Sequence, residues 1–254
     1  MEKMESISTI ITAYDQHDIT VEHVKGCLNS ELVPNEIVVV NDGGSPDLLD
    51  MLKEIPHPHA KMIYARVTED IPWNQQGARN LGVWLSTGSL LAMEDNDHIP
   101  DKNFYRESST ILANKEKGYI VPRVRAVVEL DDIKNKPQED WRILKTRGKA
   151  IIISMCRREL MIDTKGYDED FSGRYGWEIP EWEARIKEAG AEIICNGRYF
   201  TIHNAYSRME DREHDGRQFK MDPINYHHSR RSMRNKRTQN PGGILRFNYE
   251  IRRF

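Results

Sequence analysis

Residues 90–97 read Leu-Leu-Ala-Met-Glu-Asp-Asn-Asp, an apolar run that stops at a cluster of acids. Continuous apolarity without polar alternation predicts a strand buried on both faces, Leu90 to Met93. Such strands belong to parallel sheets covered on both sides by crossover helices. The strand would deliver Asp95 and Asp97 to one point beyond its carboxyl end, where open α/β sheets bind ligands. Hard carboxylate oxygens at that point suit Mg²⁺ or Mn²⁺, which keep coordination positions for water and phosphate. A D-x-D triplet is common by chance, and its place after a buried strand is what gives it weight.

The same signature recurs on either side. Ile7 to Ala13, Glu36 to Val40 and Lys61 to Ala65 are short and almost continuously apolar. Thr20 to Leu32 is helix-like with Pro34 at its exit, and Gly77 to Ser86 reads as a second helix stopped by Gly88. This alternation predicts a mostly parallel central sheet flanked by helices. Its carboxyl-terminal edge would carry Tyr14-Asp15, Asn41-Asp42 and Glu94-Asp95-Asn96-Asp97. Asp42, ahead of Gly43-Gly44-Ser45, could accept from a base N–H or simply serve the turn. In the less regular second half, Tyr119 to Pro122, Ala150 to Ser154 and Glu192 to Cys195 read as strands, and Pro180 to Ala189 as a helix. From about Tyr206 the chain turns polar without a clear period. The expected organisation is one α/β domain over residues 1–205 and a polar, basic extension over 206–254.

A chain of 254 residues is long enough for a real core, and 38% apolar with 30% charged residues argues against a disordered chain. The net charge of -3 gives no global attraction to nucleic acid. Cys27, Cys156 and Cys195 are widely spaced with no C-x-x-C, which favours reduced thiols in a cytoplasmic protein. The opening MEKMESISTIITAY carries acids and runs into a strand-like stretch, unlike a signal peptide. No apolar stretch approaches the roughly 20 residues needed to span a bilayer. From His227 to Phe254 there are eight Arg or Lys residues and one acid. That tail could close over a diphosphate, grip an anionic acceptor, rest peripherally on an anionic membrane, or stay solvated. No nucleic-acid module accompanies it.

Four stretches in order, ISTIITAYDQ, NEIVVVNDGGSPD, NQQGARNLGVWLSTG and LLAMEDNDHIPD, resemble the successive motifs of the family 2 glycosyltransferases. The resemblance is good over residues 5–102 and weaker to about 204. It implies a GT-A fold, a nucleotide-sugar donor (UDP-sugar first), Mn²⁺ or Mg²⁺, and a hydroxyl acceptor on a glycan, glycolipid or protein. By matched position, Ala13 and Tyr14 would line the base and ribose pocket and Asp42 would read the uracil ring. Gly77 and Arg79 would approach the nucleotide and sugar, with Asn96 in the donor-facing turn. Asp97 would be the stronger metal ligand, with Asp95 shared between metal and ribose or sugar. His203 would complete the metal shell, a role suited to neutral imidazole beside carboxylates. His98 stands where many relatives carry another acid and reads as loop structure.

An inverting transferase needs a carboxylate to take the acceptor's hydroxyl proton. In the family this residue sits in a Glu-Asp pair that opens a helix, with an arginine downstream. The stretch from Gly176 to Arg185 keeps Glu178 and Arg185 in that frame, but Ile179 holds the aspartate's place. Pro180 suits the first helical turn, which puts Glu178 at about the N-cap. Glu178 is the expected base and Glu181 the second catalytic candidate. Glu-x-x-Glu with a downstream arginine is also similar to the retaining polypeptide N-acetylgalactosaminyltransferases. Tyr175 and Trp177 would either form an acceptor platform or pack the loop. Two other readings stay open. A sugar nucleotidyltransferase would need the Gly-rich opening loop that TAYDQHD lacks, and a non-catalytic nucleotide-sugar-binding module would suit the missing aspartate.

Overall fold

The computed structural model describes residues 5–149, 151, 153–203 and 221–254. Strands β1 (Ile7–Ala13), β2 (Glu36–Asn41) and β3 (Lys61–Val67) alternate with helices α1 (His17–Leu28) and α2 (Leu48–Lys53). Helix α3 (Gln75–Leu85) leads into β4 (Leu90–Asp95), β5 (His98–Pro100) and α4 (Phe104–Leu112). Then come β6 (Gly118–Val121), β7 (Val124–Val128), α5 (Leu130–Asn135), β8 (Lys145–Arg147), β9 (Ser154–Arg157) and α6 (Arg158–Asp163). Helix α7 (Glu178–Glu188), β10 (Glu192–Cys195), β11 (Arg198–Ile202), α8 (Pro223–Arg234) and β12 (Tyr249–Arg253) complete the described chain.

The main sheet has eight strands in the order β10-β6-β9-β4-β1-β2-β3-β12. Its centre, β4-β1-β2-β3, is parallel, with Thr12 opposite both Asp95 and Val40. A second sheet of four strands, β5-β11-β7-β8, stands beside it. Each central strand feeds two cores by alternation. Ile7, Ile11, Ile37 and Val39 face Val24, Leu52 and Phe104 of the helices on one side. Ile10, Val38 and Val40 face Ala78, Leu81 and Trp182 on the other. Continuous apolar runs are therefore required here, because neither face of the sheet meets water.

Three expectations shift. Helix α1 begins at His17 and is capped by Asn29, so it runs earlier than Thr20 to Leu32. The strand anticipated at Ala150 to Ser154 begins at Ser154 and runs to Arg157 between β4 and β6. Arg157 can end a buried strand because Glu5 Oε1 and the Leu112 carbonyl accept from it at 2.7 and 2.8 Å. The third shift lies in the basic tail. Its α8 packs on α7, and β12 pairs antiparallel to β3 from Tyr249↔Val67 to Arg253↔Ile63. Residues anticipated as an extension thus supply the edge strand of the main sheet. Charged side chains suit an edge, where one row of backbone groups faces solvent. Among the described residues no helix is long and apolar enough to cross a membrane.

Candidate active site

The carboxyl ends of β1, β2 and β4 converge, and the site grows from there. Asp95 closes β4, and its Oδ1 accepts from Thr12 Oγ1 (3.3 Å), Gln75 Nε2 (2.8 Å) and Arg79 Nη2 (2.7 Å). Arg79, on α3, is fully buried rather than lying on a helix surface, and its guanidinium stands 5.4 Å from the Tyr167 ring centroid. Burial alone would lower its pKa. Asp95, Tyr167 and Glu178 outweigh that and hold it above the ordinary value. Its Nε and Nη1 have no hydrogen-bond partner among the described residues.

Asp97 is buried beside His98, whose Nδ1 lies 2.6 Å from Asp97 Oδ1. Burial disfavours the Asp97 charge, yet His98 more than compensates and holds its pKa below the ordinary value. The same pairing raises His98 despite its own burial. His98 is therefore a buried ionic partner, not the loop residue anticipated. Adjacency in sequence gives no sign of this, because the pairing depends on β5 turning the ring inward against β11. Ligand-capable atoms of Asp95, Asp97 and His98 lie within 4.8 Å of one another.

His203 falls close by in backbone only. Ile202 N donates to the Asp97 carbonyl at 3.0 Å, but the His203 ring points to Glu129, with Nδ1 3.0 Å from Oε1. The structure thus groups Asp95 and Asp97 with His98 and leaves the anticipated His203 outside that cluster.

On the β2 side, Asp42 N donates to the Ala13 carbonyl at 2.8 Å, and Asn74 Nδ2 donates to Asp42 Oδ1 at 3.0 Å. Asn41 Oδ1 accepts from Gly44 N at 2.9 Å, and Asp15 Oδ1 from Ser45 N at 2.8 Å. This pins the loop after β2 against that after β1, with Tyr14 half-buried at its margin and Ala13 buried beneath. Gly77 has a packing role: a Cβ there would stand 2.4 Å from Asn74 Oδ1 and 2.5 Å from Phe247. Asn96 also faces inward, its Nδ2 donating to Gln16 Oε1 (3.3 Å) and Thr20 Oγ1 (3.1 Å). Its carbonyl meets His23 Nδ1 at 3.1 Å, while His23 Nε2 meets the buried Glu94 carboxylate at 2.5 Å. The acidic turn is thereby tied to α1. Gly77 and Asn96 are expected among the donor-binding residues, and the contacts the structure gives them are this packing and these hydrogen bonds.

Glu178 is the first residue of α7, one position inside the anticipated cap, which Trp177 occupies with φ 72. Burial raises the Glu178 pKa; its own backbone amide and Arg79 pull it back only in part, and Asp95 pushes it further up. Glu181 faces elsewhere. It is buried, with Arg185 donating from Nε at 3.0 Å and Nη2 at 3.2 Å, and Ser232 Oγ from α8 at 2.7 Å. Arg185 Nη1 also donates to the Thr164 and Gly166 carbonyls at 3.0 and 2.6 Å. A buried carboxylate held by Arg185 and Ser232 ties α7 to its surroundings, a structural role that the reading of Glu181 as second catalytic candidate does not include. Tyr175 packs against Trp73 and Trp177 against Tyr226, with centroids 4.7 and 4.8 Å apart, and both rings keep partial exposure.

An acid pair at the end of a central parallel strand, a buried arginine between it and a helix-opening glutamate, and a second sheet alongside define a GT-A architecture. Residues 8–171 match the family described as Glycosyl transferase family 2, and the chain belongs to that family. It is 27% identical over 93 residues to a Rickettsia bellii protein described as an uncharacterised glycosyltransferase, covering 37% of this chain and 13% of that protein. It is 28% identical over 104 residues to the succinoglycan biosynthesis protein ExoO of Rhizobium meliloti, covering 40% of this chain and 29% of ExoO. The matches thus span less than a third of either curated relative. Among solved structures, Staphylococcus aureus TarS residues 1–349 with UDP-GlcNAc align at TM-score 0.64 and 12% identity, over 91% of this chain and 66% of that one. GalNAc-T7 with UDP, GalNAc and Mn²⁺ aligns at TM-score 0.62 and 15% identity, over 80% of this chain and 45% of that one. These likenesses show the fold.

Proposed function

We propose that this chain moves a sugar from a UDP-sugar to a hydroxyl acceptor with inversion, with a divalent cation held by Asp95 and Asp97 and Glu178 as general base. The observation that carries the reading is the position of Arg79, which donates to Asp95 and whose charge also acts on Glu178. The two acids that the chemistry needs thereby share one buried cation. Asp42, just beyond the end of β2 and with its Oδ1 accepting from Asn74, is the carboxylate that would read the uracil ring. The two unpaired donors of Arg79 suit a phosphate or sugar oxygen of the donor. Glu178 takes the acceptor proton, and burial raises its pKa in the direction that suits a general base.

The carboxylates fit Mn²⁺ or Mg²⁺. Asp97 is held ionised, and the hydrogen bonds described above for both acids run through Oδ1, which suits Oδ2 of each to a cation. A cation bound there would stabilise the departing nucleoside diphosphate. His203 would be a further ligand if its ring turned from Glu129. The engagement of Glu181 favours inversion by Glu178 over the retaining alternative. The three free cysteines support a cytoplasmic setting, and the exposed Arg230, Arg231 and Arg234 of α8 support peripheral contact with an anionic membrane. The acceptor would be a hydroxyl of a glycan, glycolipid or protein. Thermal shift with UDP-GlcNAc, UDP-glucose and GDP-mannose, each with and without Mn²⁺, tests the donor assignment. Stabilisation by the UDP-sugars only with Mn²⁺ is expected. Equal response to GDP-mannose, or no dependence on the metal, overturns it.

A further inference from the structure

Helix α8 lies outside residues 8–171 of the family match, yet it seats the turn that leads into Glu178. Asn225, 1% exposed, is the centre of that seat. Its Nδ2 donates to the carbonyls of Phe171 (3.2 Å), Arg174 (3.0 Å) and Gly176 (3.1 Å). One amide group shared among three carbonyls fixes the path of the turn as no single contact could. Asp222 reinforces it from both sides. Its N donates to the Tyr175 carbonyl at 3.0 Å, and its Oδ1 caps α8 by accepting from Ile224 N (2.7 Å) and Asn225 N (3.3 Å).

The turn needs such a hold. Gly176 has φ 94, and a Cβ there would lie 2.3 Å from Met221 Sδ. Trp177 has φ 72, a left-handed conformation that is unfavourable for a non-glycine residue. The next residue is Glu178. A backbone that is unfavourable by itself and continuous with a helix start will relax if its outside contacts are removed, carrying the first side chain of α7 with it. Ser232, two turns along α8, donates to Glu181 and not to the carbonyls that Asn225 holds. It therefore separates docking of α8 as a whole from the seat at the turn.

We propose that Asn225 is a positioning residue for Glu178, its amide setting the turn from which α7 presents that carboxylate to Arg79 and Asp95. The consequence for catalysis rests on the reading of Glu178 as base; the placement itself does not. Two measurements on the full chain test it. Carboxyl ¹³C NMR follows the titration of Glu178 in metal-free protein, the resonance being assigned by its loss in Glu178→Gln. UDP-GlcNAc hydrolysis with Mn²⁺ gives kcat and KM. Asn225→Ala should lower the Glu178 midpoint toward the ordinary glutamate range and cut kcat by about 10²-fold, the scale of an ångström-size misplacement, with KM little changed. Asn225→Ser keeps one donor and should fall between; it carries the test if the alanine variant does not fold. Ser232→Ala should lose stability and leave the midpoint where it is. An unmoved midpoint in folded Asn225→Ala or Asn225→Ser, or an equal shift in Ser232→Ala, overturns the proposal. If Glu178→Gln still hydrolyses the donor while Asn225→Ala moves the midpoint, the base reading fails and the positioning role stands.

Discussion

Arg79 Nη2 donates to Asp95 Oδ1 at 2.7 Å from a position with no solvent exposure. This contact places a permanent cation beneath the end of β4, between a candidate metal ligand and the glutamate that opens α7. A buried guanidinium with two donors unpaired among the described residues is costly unless a ligand meets them. The arrangement is that of a site shaped for an anionic or hydroxyl-rich molecule.

Replacing Arg79 by lysine keeps the charge and discards the planar fork. Arg79→Lys should still hold Asp95 but lose one charge-assisted contact to the donor, worth about 1.5–3 kcal/mol. UDP-GlcNAc affinity by calorimetry with Mn²⁺ should therefore fall roughly 10- to 100-fold. An unchanged Kd would show that Arg79 serves only the ion pair.

Asp97→Ala should abolish the Mn²⁺-dependent part of UDP binding while the fold survives, because the carboxylate lies at a strand-end turn rather than within either core. Its removal also leaves His98 without its buried partner, so a modest fall in melting temperature should accompany the loss. Calorimetry showing the same metal-dependent affinity in the variant would sink the cation assignment.

Asp42→Ala should weaken UDP more than pyrophosphate, since the contact at stake is with the base and not the phosphates. It also releases Asn74 Nδ2, while Asn74 Oδ1 still accepts from Ser172 Oγ at 2.8 Å. Equal losses for the two ligands would mean that Asp42 only shapes the turn.

Glu178→Gln should cut transfer or donor hydrolysis by about 10²–10⁴-fold with donor affinity nearly unchanged. In the wild type, the rate should fall as pH drops through a midpoint above the ordinary value of 4.5, the base being lost to protonation. Stability has the opposite sign. A carboxyl whose folded pKa is raised contributes stability below its unfolded pKa, and that contribution is lost as pH rises through the folded pKa. Glu178→Gln should therefore raise the melting temperature at pH 7.5 relative to wild type, with the gain vanishing in acid. A variant no more stable at pH 7.5 would contradict the desolvation that the structure assigns to Glu178.

For Glu181 the expected loss is structural. Glu181→Gln leaves Arg185 buried without its carboxylate, and breaking a buried pair in this way costs about 3–5 kcal/mol. Denaturant unfolding should show that loss, while kcat per folded molecule stays near wild type. A stable variant with a collapsed kcat would move the catalytic role one turn along α7.

Much of the fold is legible in residues 7–97. Runs such as Glu36-Ile-Val-Val-Val-Asn41 are too apolar and too short for anything but buried strands, and the acids that end them must then gather at one edge of the sheet. Asp42, Asp95 and Asp97 are legible for that reason: each lies at or just beyond the carboxyl end of a buried strand. Glu178 is legible only as the opening of a helix, since the departure at Ile179 breaks the local pattern.

What the tertiary structure decided is the partner of each charge. Arg79 and Arg185 stand at matched motif positions, but only the tertiary structure shows both buried, with Asp95 reaching one from the sheet edge and Glu181 the other from the previous turn. In the sequence His98 reads as loop structure and His203 as the histidine that joins the acids. The pairing of β5 with β11 buries the first against Asp97, and the first turn beyond β11 gives the second to Glu129. Strand β12 and the Asn225 seat lie in a polar stretch where no hydrophobic period marks them. Periodicity and motif report contacts between neighbours along the chain. A hydrogen bond such as Ser232 to Glu181, across 51 residues, exists only once hydrophobic burial has brought distant segments together.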